Sequence, residues 1–167
     1  PEIIAAGLAA FAGVRRRQEV RGEVAGVTVI DDFAHHPTAV RETLNALRAA
    51  YPGRRLLAVF EPRTNSSRRR VFQEAYVPVF APADRILLRV PEGLTTIPEA
   101  ERFSVEQLAA DLTARGQKAQ AFPTTDLILD ELAAIARPGD LVAILSNGGF
   151  DDIHRRLLTR LSTTSKN

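Results

Sequence analysis

An α/β fold, in which helices flank a mostly parallel sheet, is the architecture this 167-residue sequence predicts. Two observations carry it. Apolar runs recur at residues 27–30, 56–60, 85–90 and 141–145, and they read as near-continuous hydrophobic stretches, the signature of strands buried on both faces. Between them lie amphipathic stretches of roughly 10–15 residues, the spacing of strand–helix–strand units. Right-handed crossovers then layer helices on both faces of the sheet. The expected class is Rossmann-like, with one antiparallel hairpin strand at the N-terminal side.

Each element has its own warrant. Residues 1–14 open with PEIIAAGLAAF and read as the end of a preceding domain plus linker, so the chain is expected to be cut from a longer protein. Residues 15–161 form the domain proper. Residues 18–24 alternate, with Val20, Gly22 and Val24 on one face and Glu19, Arg21 and Glu23 on the other. Ala25 and Gly26 make a two-residue connection to the next β run, which predicts a tight hairpin. In that register Val24 pairs with Val27, Glu19 faces Asp32, and Arg17 lies beside the acidic strand end. Pro37 suits a first helical position, and Val40, Leu44 and Leu47 keep one apolar stripe until YPGR ends the helix. A strand at 56–60, a helix at 69–80 and a strand at 85–90 follow, then a Pro/Gly-rich loop. Ser104 with Gln107 forms a capping-box signature for a helix that stops at Gly116. A short strand is expected at 118–121, and Thr124 or Thr125 caps a helix reaching Ala136. The strand at 141–145 is broken by SNGGF, a last helix runs to about Leu161, and 162–167 is expected to be a disordered tail.

Composition narrows the function classes. Apolar residues make up 45% of the chain, enough for a core. With no cysteine there is neither a disulfide framework nor a thiolate metal site. No apolar run approaches the roughly 20 residues that cross a bilayer, and no basic-then-apolar leader opens the chain, so the expectation is a cytoplasmic protein with no membrane partner. Aromatic residues reach only 6%, which argues against a base-stacking surface and a nucleic-acid partner. Net charge is only +2, yet arginines bunch at 15–17, 54–55 and 68–70. Such clusters suit phosphates or carboxylates, or simply a solvated face.

Three polar loops directly follow apolar strands: DDFAHHPT, EPRTNSS and SNGGF. If the strands are parallel, all three emerge on one edge, where open α/β sheets bind ligands. Their chemistry is complementary: carboxylates with imidazole, a guanidinium with amide and hydroxyls, and a glycine turn opening a helix, which suits an anion. Each has a plainer reading. Asp31 and Asp32 can end a strand in water, Arg63 can be a surface arginine, Asn65 a turn former, and SNGG a turn. Adjacent histidines on an extended chain point to opposite faces, so a metal pair at His35 and His36 is disfavoured. It is their joint placement at three strand ends that favours a site. No GxGxxG follows the first strand, and neither a GK[ST] phosphate loop nor a GxSxG elbow occurs.

The motifs FAGVRRRQEVRGEV, DDFAHHPT, EPRTNS and SNGGF with the following IH resemble the C-terminal domain of the Mur ligases. These are ATP-dependent amide-forming enzymes of bacterial peptidoglycan synthesis. The similarity spans roughly residues 11–161. EPRTN and SNGGF point within the family to the member that joins UDP-N-acetylmuramate to the murein tripeptide L-alanyl-γ-D-glutamyl-meso-diaminopimelate during peptidoglycan recycling. The sister that adds L-alanine is the alternative. The resemblance implies a three-domain enzyme. Its N-terminal domain holds the UDP-sugar, its central domain carries the phosphate loop and Mg2+, and this domain closes over both. ATP phosphorylates the muramate carboxylate, and the amine attacks the acyl phosphate. On that basis Arg17, Asp32 and His35 are expected at the nucleotide, and Arg63, Asn65, Asn147, Gly148, Gly149 and Asp152 at the incoming peptide. No catalytic residue and no metal ligand is assigned to this chain, which alone is expected to be inactive. Asp151 and Asp152 depart from the family, which reads glycines there. An acid at that place either meets a diaminopimelate amine or serves as helix N-terminal charge. Two other readings stay open: a stand-alone module for anions or nucleotides, and a scaffold without a site.

Overall fold

The computed structural model describes residues 2–10, 13–64, 67–93 and 96–164. A short helix, α1 (Glu2–Ala9), precedes the hairpin of β1 (Glu19–Val24) and β2 (Val27–Asp32). Then come α2 (Pro37–Ala50), β3 (Leu56–Phe60), α3 (Gln73–Tyr76), β4 (Arg85–Arg89), α4 (Val105–Ala114), β5 (Ala119–Phe122), α5 (Thr125–Ile135), β6 (Leu141–Leu145) and α6 (Ile153–Thr164). The described strands form one sheet in the order β1-β2-β6-β3-β4-β5. All neighbours pair in parallel except β1 with β2. The predicted α/β, mostly parallel class holds.

Strand periodicity builds two cores. Leu56, Ala58 and Phe60 of β3 join α2 and α4 on one face, while Leu57 and Val59 join α5 and α6 on the other. β6 divides the same way: Leu141, Ala143 and Leu145 against Val142 and Ile144. Each such residue is 1% exposed or less, and burial of each leucine, valine, isoleucine or phenylalanine among them contributes about 1.5–3 kcal/mol. The expected N-caps form, but the capping box at Ser104 does not close, because the Ser104 amide donates to Gln73 Oε1 and the Gln107 side chain to Asp111. The amide of Gln107 donates to Ser104 Oγ at 3.0 Å, that of Leu127 to Thr124 Oγ1 at 3.3 Å, and Pro37 opens α2 behind a His36 cap.

Three expectations need correction. Val24 does pair with Val27, but Glu19 faces Asp31 and not Asp32, because the register shifts between Val20 and Gly22. Arg21 is the extra residue of a β-bulge, which displaces everything beyond it by one. The turn itself has positive φ at both central residues, +54° at Ala25 and +73° at Gly26, the two-residue hairpin geometry that follows the strand twist. The helix expected at 69–80 is one α turn between two 3-10 segments. Pro78 has no amide to continue the α-helical ladder. Finally α6 runs to Thr164, three residues beyond Leu161, so 162–164 are helical.

Candidate functional site

β2, β6 and β3 are adjacent and parallel, so the loops after Asp32, Phe60 and Leu145 leave the sheet on one rim. The chain from β6 turns toward α6, on the opposite face from α2 and α4. Diverging connections of this kind open a crevice outside the carboxyl ends of the strands. The ladder continues into the rim: the Glu61 amide donates to the Leu145 carbonyl and the Ser146 amide to that of Asp32, both at 3.1 Å.

The β2 end is a closed knot. Asp31 and Asp32 project to opposite faces of the sheet, as successive strand residues must. Asp32 is 2% exposed. Its Oδ1 accepts from the Ala34 amide at 2.7 Å and Thr43 Oγ1 at 3.3 Å, and its Oδ2 from the Gln18 amide at 2.9 Å. On the other face, Asp31 Oδ2 lies 3.1 Å from Arg16 Nε. His154 Nε2, from α6, sits 3.2 Å from Asp31 Oδ1 but out of line for a hydrogen bond. Burial pushes the Asp31 carboxyl up, yet the His154 ring and the Arg16 guanidinium together outweigh it and hold it below the usual carboxylate range. Arg16, not Arg17, is therefore the cation beside the acidic strand end. Its Nη2 also donates to the Ser146 and Gly148 carbonyls at 2.6 and 2.8 Å, tying the start of the domain to the glycine loop.

Arg17 is exposed. Its guanidinium lies 5.6 Å from the Phe33 ring centroid, with that of Arg16 at 5.2 Å. The two imidazoles diverge. His35 Nδ1 is 3.0 Å from the Phe33 carbonyl, its own carbonyl accepts from the buried Tyr76 hydroxyl, and His36 caps α2 and stacks edge-on against Phe72 at 4.9 Å. Among the described residues no three metal-ligating side chains converge.

The β3 and β6 ends meet in a second cluster. Ser146 Oγ donates to Glu61 Oε2 at 2.6 Å and accepts from the Gly148 amide at 3.0 Å. Arg63 Nη1 lies 4.0 Å from Glu61 Oε1. A Cβ on Gly148 would sit 2.4 Å from Arg63 Cδ and 2.6 Å from its Nε, so glycine is what lets the guanidinium lie across this backbone. Asn147 Oδ1 is buried with no donor. Phe150, Asp151 and Asp152 all adopt positive φ, +45°, +48° and +55°. That is the left-handed region glycine enters without a steric penalty and aspartate tolerates better than most, so the acids occupy a glycine-like turn. Thr125 Oγ1 donates to Asp151 at 2.6 Å, and Asp152 pairs with Arg155 at 2.5 Å.

A cleft of about 510 Å³ opens beside this cluster, lined by Glu61, Arg63, Arg68, Arg89, Glu92 and Asp151 among others. The predicted residues thus fall into two groups on one rim. Arg17, Asp32 and His35 belong to the β2 end, whereas Arg63, Asn147, Gly148 and Gly149 belong to the β3 and β6 ends. Asp151, and not Asp152, lines the cleft. Asn65 lies outside the described residues. Sequence reading gave no role to Arg16, Glu61, Ser146 or His154 and left Asp31 open as a solvated strand end. All five sit within or beside the quoted motifs, but the reach of His154 from α6 to β2 has no local signal.

These features define a Rossmann-like α/β domain that presents an arginine- and glycine-bearing rim at its strand carboxyl ends. The family described as "Mur ligase, glutamate ligase domain" matches residues 16–148, and the chain belongs to that family. It is 39% identical over 163 residues to the UDP-N-acetylmuramate–L-alanyl-γ-D-glutamyl-meso-2,6-diaminoheptandioate ligase of Escherichia coli K12, covering 97% of this chain and 34% of that protein. It is 37% identical over 164 residues to the UDP-N-acetylmuramate–L-alanine ligase of Nostoc punctiforme, covering 98% and 34%. A crystal structure of a murein peptide ligase from Psychrobacter arcticus 273-4 superposes with a TM-score of 0.78 at 36% identity, covering 94% of this chain and 32% of that one. The chain therefore spans about a third of the length of these relatives.

Proposed function

We propose that this chain is the C-terminal domain of an ATP-dependent ligase that joins UDP-N-acetylmuramate to the tripeptide L-alanyl-γ-D-glutamyl-meso-diaminopimelate through an acyl phosphate. The observation that carries the reading is the guanidinium of Arg63 laid across Gly148 at the mouth of the cleft. There a planar fork meets a carboxylate in two parallel hydrogen bonds. Asn147, whose Oδ1 is buried, supports the turn that places Gly148 beneath Arg63. At the β2 end, the exposed Arg17 supplies positive charge for nucleotide phosphates, and His35 provides a ring at the nucleotide edge. Asp32 acts there by holding the loop that carries His35. ATP, when bound, supplies the phosphoryl group that activates the muramate carboxylate. We assign Mg2+ and the phosphate loop to a central domain, and the UDP-sugar to an N-terminal one. Residues 1–14 are the connection to them.

The test is turnover by the full-length protein with ATP, UDP-N-acetylmuramate and the tripeptide, followed as ADP release and amide product. Product formation is expected, with the KM for tripeptide raised about tenfold or more by Arg63→Ala. The isolated chain is expected to give none. Product with L-alanine in place of the tripeptide would establish the sister activity, which the similarity to the Nostoc punctiforme relative favours as second reading. No product with either acceptor would refute the ligase reading.

A further inference from the structure

Among the described residues, two buried ion pairs follow one pattern: the carboxylate is buried and the arginine comes to it. Asp31 and Asp140 are each 4% exposed in their side chains, against 24% and 32% for their partners Arg16 and Arg55. Arg89 reverses the pattern. It ends β4, its side chain is 8% exposed, and its carboxylate partner Glu92, at 2.6 Å, is 84% exposed. Nη1 donates to the Val90 and Pro123 carbonyls, and Nε is buried without an acceptor. A buried cation needs a counter-charge, and here that charge stands at a solvated loop on the rim of the 510 Å³ cleft. Arg63, on the same cleft, is also loosely paired: its side chain is 55% exposed and reaches Glu61 only at 4.0 Å.

Resting on the ligase reading above, we propose that Arg89 is the receptor for a second, distal carboxylate of the acceptor peptide. Glu92 holds the place of that carboxylate until the peptide arrives. β3 and β4 are neighbours in parallel register, with Phe60 opposite Leu88, so Arg63 and Arg89 leave adjacent strand ends on the same side. A peptide with carboxylates on successive residues spans both. An amino acid with a single carboxylate engages only Arg63, so Arg89 selects for peptide over amino acid.

The measurement is the KM for L-alanyl-γ-D-glutamyl-meso-diaminopimelate and for ATP in the full-length protein and two variants. Glu92→Gln removes the competing carboxylate from an exposed position and is expected to lower the tripeptide KM about threefold or more. Arg89→Lys keeps the charge but loses the Nη1 bonds to the Val90 and Pro123 carbonyls that aim Nη2 at the cleft, and is expected to raise it about tenfold. The ATP KM stays fixed in both. If Arg89→Lys fails to fold, Glu92→Gln decides alone. Wild-type turnover with a tripeptide KM insensitive to Glu92→Gln overturns the subsite and leaves the ligase reading standing. An equal shift in the ATP KM also overturns the subsite, since it would place the phosphates there. Absence of turnover by the wild-type protein overturns the ligase reading and the subsite with it.

Discussion

The two ends of the rim are built on opposite plans. At the β2 end the acids are buried and their oxygens are engaged by groups of the chain itself: the Gln18 and Ala34 amides, Thr43, Arg16 and His154. At the β3 and β4 ends the guanidiniums of Arg63 and Arg89 face exposed or distant carboxylates. The first end spends its hydrogen-bonding capacity on holding a loop in place. On the proposed reading, the second keeps charge available for exchange, so that one sheet edge would carry a rigid mount beside a carboxylate receptor.

Substitutions at the two ends sharpen that contrast. The largest effect is expected from Asp32→Ala, which strips acceptors from two amides and a hydroxyl in a buried place and should cost about 3 kcal/mol of stability in a chemical denaturation curve. A loss below about 0.5 kcal/mol would show that water replaces those bonds and that the mount is not rigid. Next comes acid stability. The folded Asp31 carboxyl titrates below its unfolded value of about 3.9. Its contribution is therefore fully present above that value and lost as the pH falls through the lower, folded one. Stability of Asp31→Asn followed from pH 6 to pH 2 is expected to fall less steeply below about pH 4 than that of the parent; parallel curves would mean that the Arg16 and His154 contacts do not bear on folding. The smallest effect on stability belongs to the open end. In Gly148→Ala the new Cβ displaces only the half-exposed Arg63 side chain, so stability should change by less than about 1 kcal/mol. The acceptor KM of the full-length protein should nevertheless rise several-fold, because the fork is pushed off its seat. A stability loss as large as that of Asp32→Ala would erase the distinction between the ends.

Much of this layout could be read from the chain alone, for definite reasons. Continuous apolar runs flagged the buried parallel strands, and Ser104, Thr124 and Pro37 marked helix starts through chemistry local to each cap. The parallel sheet then gathered the three loops on one edge. What escaped was non-local or a matter of a single residue. Nothing in EVRGEV announces that Arg21 bulges, yet that shift moves Glu19 from Asp32 to Asp31, and the acid's partner is Arg16 where the unbulged hairpin suggested Arg17. β2 also runs on through Asp31 and Asp32, against strand propensity, because Arg16, His154 and the neighbouring amides supply what buried carboxylates require. The left-handed run at 150–152 had no signal in the residues themselves, beyond the glycines that the resemblance implied at 151 and 152. Arg89 looked like an ordinary strand end until its burial was known.

The most direct test is a crystal structure of the full-length protein with ADP and the acidic tripeptide. The account predicts the nucleotide against Arg17 and His35, and the peptide in the cleft with carboxylates on Arg63 and Arg89 and with Glu92 displaced. Peptide bound at the β2 end, or at the amino-terminal edge of the sheet with Arg89 still paired to Glu92, would contradict it.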